Sequence, residues 1–170
     1  MEVKITTYGH ACFVLECDSY RICLDPYAWG MVPGQPDLHL IVDEVFCSHD
    51  HADHGWNGVA VPLNEIHCPF TVKTIPSFHD DAMGSKRGLN TIHVIEYNGL
   101  RVAHLGDLGH DLDDDDIEEL GRLDVVLIPI GGTYTVTASA AKEVAAQLQP
   151  RVIIPMHCQR RSEVAINFAR

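Results

Sequence analysis

The chain has 170 residues, 46% hydrophobic and 21% charged, which suits one soluble domain with a real core and not a disordered chain. Its 24 acidic residues outnumber 12 basic ones, and the net charge of −12 argues against nucleic acid as a partner. No apolar run approaches about 18 residues and the N-terminus opens at once on strand alternation, so no membrane partner and no leader are expected, and a cytoplasmic location is.

Met1 to Thr7 alternates Val3 and Ile5 against Glu2 and Lys4 and predicts a half-buried strand. Ala11 to Glu16 and Tyr20 to Leu24 are two more strands about a turn at Asp18-Ser19. His10 lies at the tip between the first two and, on spacing alone, reads as a loop histidine. Asp25 to Asp37 carries three prolines and two glycines, so it is a loop, with Tyr27 and Trp29 placed to wall a pocket. Leu40 to Phe46 reads as a buried strand. Gly55 to Asn64 is too short and glycine-rich for a helix. Phe70 to Ile75 is a short strand and Ala82 to Asn90 a polar loop. Thr91–Tyr97 and Leu100–Leu105 form a hairpin about Asn98-Gly99.

Asp113 to Leu120 predicts a short helix, its acidic start matching the helix dipole and Gly121 its C-cap. Val125 to Ile130 is an apolar strand. Ala138 to Gln149 is a helix with Ala141, Val144, Ala145 and Leu148 on one face and Pro150 after its end. Val152 to Ile154 is the last predicted strand, and Ser162 is expected to cap a final helix with Val164, Ala165 and Phe168 inward. Strands dominate the first half and alternate with helices in the second, so the pattern gives a single α/β or α+β domain over 1–170. Six cysteines without a C-x-x-C pair read as thiols of a reducing compartment.

The chemistry concentrates in Ser48-His49-Asp50-His51-Ala52-Asp53-His54, where three histidines and two aspartates are hard to explain by packing. His49 and His51 are two apart and point the same way in extended backbone, whereas Asp53 and His54 follow once the chain turns. Two imidazoles facing one point and a carboxylate with an imidazole facing another suit a two-metal site. Other apolar runs also end in donors: 70–75 in His79, 100–105 in Asp107, and 152–154 in His157. Strand ends of one layered domain converge on a common mouth.

The run from His49 to His54 resembles the HxHxDH signature of the metallo-β-lactamase superfamily. Tyr8-Gly9-His10-Ala11, Leu24-Asp25-Pro26, Phe78-His79-Asp80-Asp81, Arg87-Gly88-Leu89-Asn90-Thr91, His104-Leu105-Gly106-Asp107, Pro129 to Thr135 and Ile154-Pro155-Met156-His157 resemble its ascorbate-6-phosphate lactonase-like branch of small metal-dependent hydrolases. The resemblance implies an αββα sandwich and two divalent metal ions, zinc first, with manganese or iron also suited to imidazole and carboxylate donors. It implies His49, His51 and His79 on one ion, Asp53, His54 and His157 on the other, and Asp107 bridging. Asp53 and Asp107 would then serve catalysis. It also places the His10 loop near the metals, with His10 a candidate to bind substrate. Arg87, with Lys86, is a candidate to hold a substrate anion or else part of a surface turn, and Tyr134 is a candidate to reach the mouth. Asp50, Asp80 and Asp25 are either imidazole acceptors or solvated. His104 and His93, inside strands, are expected to be packed, and His39, His67 and His110 to lie at the surface.

The expected function is metal-dependent hydrolysis of a small molecule such as a lactone, thioester or phosphodiester. The short spans around the motifs leave little room for a lid, and a homo-oligomer is compatible with the sequence. The rival readings are an iron-dependent oxidoreductase of the sulfur dioxygenase kind, which the intact Asp53-His54 pair disfavours, and a non-catalytic metal-binding module.

Overall fold

The computed structural model describes residues 2–56, 58–61, 67–158 and 164–169. In chain order the strands are β1 (Glu2–Gly9), β2 (Cys12–Cys17), β3 (Tyr20–Leu24), β4 (Glu44–Phe46), β5 (Thr71–Phe78), β6 (Leu89–Tyr97), β7 (Leu100–His104), β8 (Val125–Pro129), β9 (Val152–Met156) and β10 (Val164–Ala169). The helices are α1 (Asp114–Leu120), after β7, and α2 (Ala138–Leu148), after β8. They fall into two compact units, one of Met1–Pro69 with Gln159–Arg170 and the other of Phe70–Cys158.

The first unit is a sheet in the order β10-β1-β2-β3-β4. β1, β2 and β3 pair antiparallel, and β4 joins β3 in parallel. Asp18 and Ser19, both at positive φ, make the two-residue turn that suits the right-handed twist of a hairpin. Cys12, Val14 and Cys23 pack against Leu38, Leu40, Val42 and Val59 from the loops. Tyr27 belongs to this core and not to a pocket wall. It is 1% exposed, and its hydroxyl lies 3.0 Å from the Tyr8 carbonyl and 3.1 Å from that of Pro36. All six cysteines stand as thiols.

Two expectations for this unit need correction. The strand expected over 40–46 is only three residues long and half-buried. Residues before it are held by bonds between Leu40, Val42 and Ala60 and by the Asp43 carboxylate, which accepts from the Arg21 N–H. The expected last helix is β10, antiparallel to β1. The period-two pattern Val164, Ile166, Phe168 and the open edge of β1 outweigh the helical reading. Ser162 lies outside the described residues, as do residues 57 and 62–64 of the stretch from Gly55.

The second unit is a sheet in the order β5-β6-β7-β8-β9, antiparallel from β5 to β7 and parallel from β7 to β9. β5 runs past Ile75 to Phe78, and its Pro76 is tolerated because β5 is an edge strand. Asn98 and Gly99, both at positive φ, close the β6–β7 hairpin. Asp113 caps α1 and exchanges hydrogen bonds with Asp116, so two of the four consecutive aspartates start a helix. β8 is buried throughout, and Ala141, Val144, Ala145 and Leu148 turn the buried face of α2 inward. Full burial of each Val or Leu contributes roughly 1.5–3 kcal/mol. His93 and His104 face each other across β6 and β7, both buried as expected. His110 is half-buried, its Nε2 accepting from the Ser77 hydroxyl. Among the described residues no helix is long and apolar enough to cross a membrane.

Asp80 follows β5 and is buried. Its carboxylate accepts backbone N–H groups from Ala82, Gly84, Lys86 and Arg87, gathering the polar loop around one charge. It is neither an imidazole acceptor in these contacts nor solvated. Burial pushes its pKa up, but the donors from Arg87, Ala82, Lys86 and Gly84 together pull it down from 3.8 to about 2. A depressed carboxylate stabilises the fold fully above its unfolded pKa and loses that contribution as pH falls through the folded one. Asp80→Asn should therefore melt below the wild type at neutral pH, and the gap should close as pH drops from 3.8 to about 2. Thermal melts of both proteins across that range check this; a constant gap would show that the charge is not what holds the loop.

Candidate metal centre

Asp25 comes directly after β3, at φ 46° and fully buried. Its N–H donates to the Phe46 carbonyl at 3.0 Å, which ties the end of β3 to the end of β4. Its Oδ1 accepts the Ser48 N–H at 2.6 Å, and its Oδ2 accepts the Ser48 hydroxyl at 2.6 Å and His54 Nδ1–H at 2.8 Å. Ser48 has one hydroxyl proton, already directed to Asp25, so its oxygen accepts from His49 Nδ1 at 2.8 Å. Both imidazoles thus keep their proton on Nδ1 and present a bare Nε2. Asp25 is therefore an imidazole acceptor. Asp50, inside the histidine motif, is exposed.

The motif leaves β4 and turns at His51, whose carbonyl accepts from the N–H groups of His54 and Gly55 at 2.9 and 2.6 Å. That turn separates the two pairs of donors as the spacing predicts. The His49 and His51 rings meet edge to face at 4.6 Å, and a ring nitrogen from each lies within 4.8 Å of the other. His10, Asp53 and His54 bring one donor atom each together within the same limit. His10 Nε2 is 3.1 Å from His54 Nε2 and 3.3 Å from Asp53 Oδ2. The hydrogen bond to His10 holds the Asp53 carboxyl well below the usual carboxylate range, against the opposing effect of burial.

In the second unit Asp107 is 2% exposed, and its Oδ2 stands 3.2 Å from His79 Nε2 and 3.4 Å from His157 Nε2. Asn90 fixes the turn. Its Oδ1 accepts the Asp107 N–H at 2.9 Å and its Nδ2 donates to the Leu105 carbonyl at 2.9 Å. Gly109 lets the chain after Asp107 pass against the backbone of His79 and Asp80, and a Cβ on Gly131 would stand 2.7 Å from His157 Nδ1. Arg87 and Tyr134 are brought to each other, with the guanidinium 5.1 Å from the ring centre and bonded to the Thr133 carbonyl at 3.2 Å, and both are exposed.

These donors fit divalent ions. Imidazole and carboxylate atoms about 2.1 Å from one ion stand roughly 3.0–3.4 Å apart, depending on octahedral or tetrahedral geometry. The separations of His10 from Asp53 and His54, and of His79 and His157 from Asp107, at 3.1–3.4 Å, fall in that band, whereas His54 Nε2 and Asp53 Oδ2 stand wider at 3.9 Å. Ser48 and Asn90 were not among the residues expected at the site. Ser48 opens the histidine motif, and Asn90 is a lone buried amide in an apolar strand, so each left only a weak signal.

A family model described as a beta-lactamase superfamily domain matches residues 4–157. A UPF0173 metal-dependent hydrolase of Archaeoglobus fulgidus is 30% identical over 91% of this chain and 83% of its own length. Among solved structures, a Thermotoga maritima protein assigned as a Zn-dependent hydrolase of the metallo-β-lactamase superfamily is 38% identical. It has a TM-score of 0.73 over 94% of this chain and 77% of its own. A metal-dependent hydrolase from Parabacteroides distasonis, 19% identical over 92% of this chain and 83% of its own, has a TM-score of 0.73 and shares the fold.

Asp25→Asn removes the carboxylate that sets two imidazole tautomers and should weaken metal binding about 10–100-fold while leaving the fold intact. Competition titration against a chelating dye, with circular dichroism as the control, measures this; unchanged affinity would remove Asp25 from the account.

Proposed function

This chain belongs to the metallo-β-lactamase superfamily, with its α/β fold, and to a family of metal-dependent hydrolases; on that premise we propose a dinuclear hydrolase of a small substrate such as a lactone, thioester or phosphodiester. The observation that carries this is the clustering of donors within each unit, Asp53 and His54 in one and His79 and His157 at 3.2 and 3.4 Å from Asp107 in the other. In this reading residues 1–170 act as one domain. One ion takes His49, His51 and His79, the other takes Asp53, His54 and His157, and Asp107 bridges. Zinc suits the set best, with manganese and iron next.

Bound there, two divalent ions supply Lewis-acid polarisation of a carbonyl or phosphoryl oxygen and an activated water nucleophile. The chain's own part is to hold the donors and manage protons. Asp25 and Ser48 keep the Nε2 atoms of His49 and His54 bare. Asp107, almost wholly buried, keeps its carboxylate aimed by Asn90. Asp53, with 36% of its side chain exposed, is the ionised carboxylate open to orient the attacking water by accepting its hydrogen bond. Arg87, steadied by the Asp80 loop and stacked on Tyr134, is the candidate to orient an anionic group of the substrate. The net charge of −12 supports a small molecule over a nucleic acid, and a cytoplasmic location goes with the thiol cysteines.

Asp107 and His104 are three residues apart and test the assignment together. His104 is fully buried in β7 and its Nδ1 accepts the Gly106 N–H at 3.1 Å, a packing role. Asp107→Ala should lower metal content and cut hydrolysis at least about 100-fold with the fold retained. His104→Ala should cost at most a few kcal/mol of stability, on the order of other buried polar losses, and keep two ions. Metal analysis, activity against a panel of lactones, thioesters and phosphodiesters, and melting curves decide it. The reverse pattern would overturn the ligand assignment.

A further inference from the structure

We infer that His10 is a metal ligand, making with Asp53 and His54 a face of two imidazoles and one carboxylate for one divalent first-row ion. The inference rests on the dinuclear reading and adds a donor to it, since the family resemblance brings Asp53, His54 and His157 to this ion and leaves His10 outside.

Distance argues for coordination over a plain hydrogen bond. A charge-assisted N–H···O⁻ bond to a carboxylate is about 2.7–2.9 Å long. His10 Nε2 is 3.3 Å from Asp53 Oδ2 and 3.1 Å from His54 Nε2. Both lengths match edges of a coordination sphere, roughly 3.0–3.4 Å for donors about 2.1 Å from the ion; the third edge, His54 Nε2 to Asp53 Oδ2, is wider at 3.9 Å. The tautomers agree. His54 uses its Nδ1 proton on Asp25, so its Nε2 is a bare lone pair directed to where His10 Nε2 also points. An ion seated there satisfies both nitrogens and the carboxylate at once. A proton on His10 Nε2 can serve only one of them, His54 Nε2 at 3.1 Å or Asp53 Oδ2 at 3.3 Å, where an ion takes all three.

The backbone supports the same reading. His10 has φ 54°, in the left-handed region that non-glycine residues avoid, on the turn where the β1–β2 register shifts after Thr7. A residue kept in that region costs of order 1–3 kcal/mol, and such positions cluster at ligand clamps. The side chain is only 12% exposed, and its ring sits 4.8 Å from that of His54. Two imidazoles and one carboxylate with open positions form a donor set that iron, manganese and zinc all accept. The first unit alone then supplies three ligands to this ion.

The test uses the full chain, labelled with an NMR-active nitrogen isotope at histidine and loaded with an NMR-active cadmium isotope, alongside metal counting on the wild type, His10→Ala and His10→Gln. The expected result is scalar coupling between cadmium and His10 Nε2. In both variants, folded by circular dichroism, the second ion should be lost or weakened at least about 10-fold. Wild type that binds two cadmium ions while His10 keeps a proton on Nε2, or a His10→Ala protein that holds both ions at unchanged affinity, overturns the His10 assignment alone. Wild type that binds fewer than two ions overturns the dinuclear reading, and this inference with it.

Discussion

The candidate centre depends on one buried carboxylate. Asp25 has no solvent exposure, and both of its oxygens are occupied by Ser48 and His54. Those contacts decide where two protons sit. With Nδ1 protonated on His54 toward Asp25 and on His49 toward Ser48, the Nε2 lone pairs have one possible use, as acceptors or ligands. A buried carboxylate without such partners would be costly, and here each donor that offsets the cost also aligns a metal-binding ring. The bond from the Asp25 N–H to the Phe46 carbonyl joins this network to the sheet, so the orientation of two side chains is inherited from the pairing of β3 with β4.

Several residues of the candidate centre take the left-handed conformation. His10, Asp25 and His157 are all non-glycine residues at positive φ, at 54°, 46° and 55°. Each stands where a strand has just ended and a side chain must be turned back over the strand ends. Sheet pairing before each turn, together with the tight passage of Gly131 beside His157, over-determines the backbone enough to keep it there. The second unit solves the aiming problem for Asp107 by another route. Asn90 clamps the turn from a neighbouring strand, and the Asp80 carboxylate organises the loop that follows His79.

Much of this was legible in the sequence because the signals were local. The Asn98-Gly99 turn, the acidic start of α1 and the apolar face of α2 each follow from a few neighbouring residues, and all three elements form as the pattern predicts. The His49 to His54 run announced two donor pairs through its spacing alone. What the sequence hid was non-local. Asp25 is one aspartate at the start of a proline-rich loop until β3 and β4 pair and bring Ser48 and His54 to it. Asp80 looked like a neighbour of a ligand, yet its partners are backbone N–H groups, which no side-chain pattern reveals. The strand β10 was misread as a helix because its pairing partner is β1, at the other end of the chain. Tyr27, an aromatic in a proline-rich loop, reads as a pocket wall, whereas here the loop folds over it.

The account stands on the proposal of two bound ions. Anomalous diffraction from crystals of the metal-loaded protein, recorded at the absorption edge of the bound metal, tests this most directly. The account predicts two peaks in each chain, one against His49, His51 and His79 and one against Asp53, His54 and His157 with His10, with Asp107 reaching both. A single peak, or peaks away from these side chains, would contradict it.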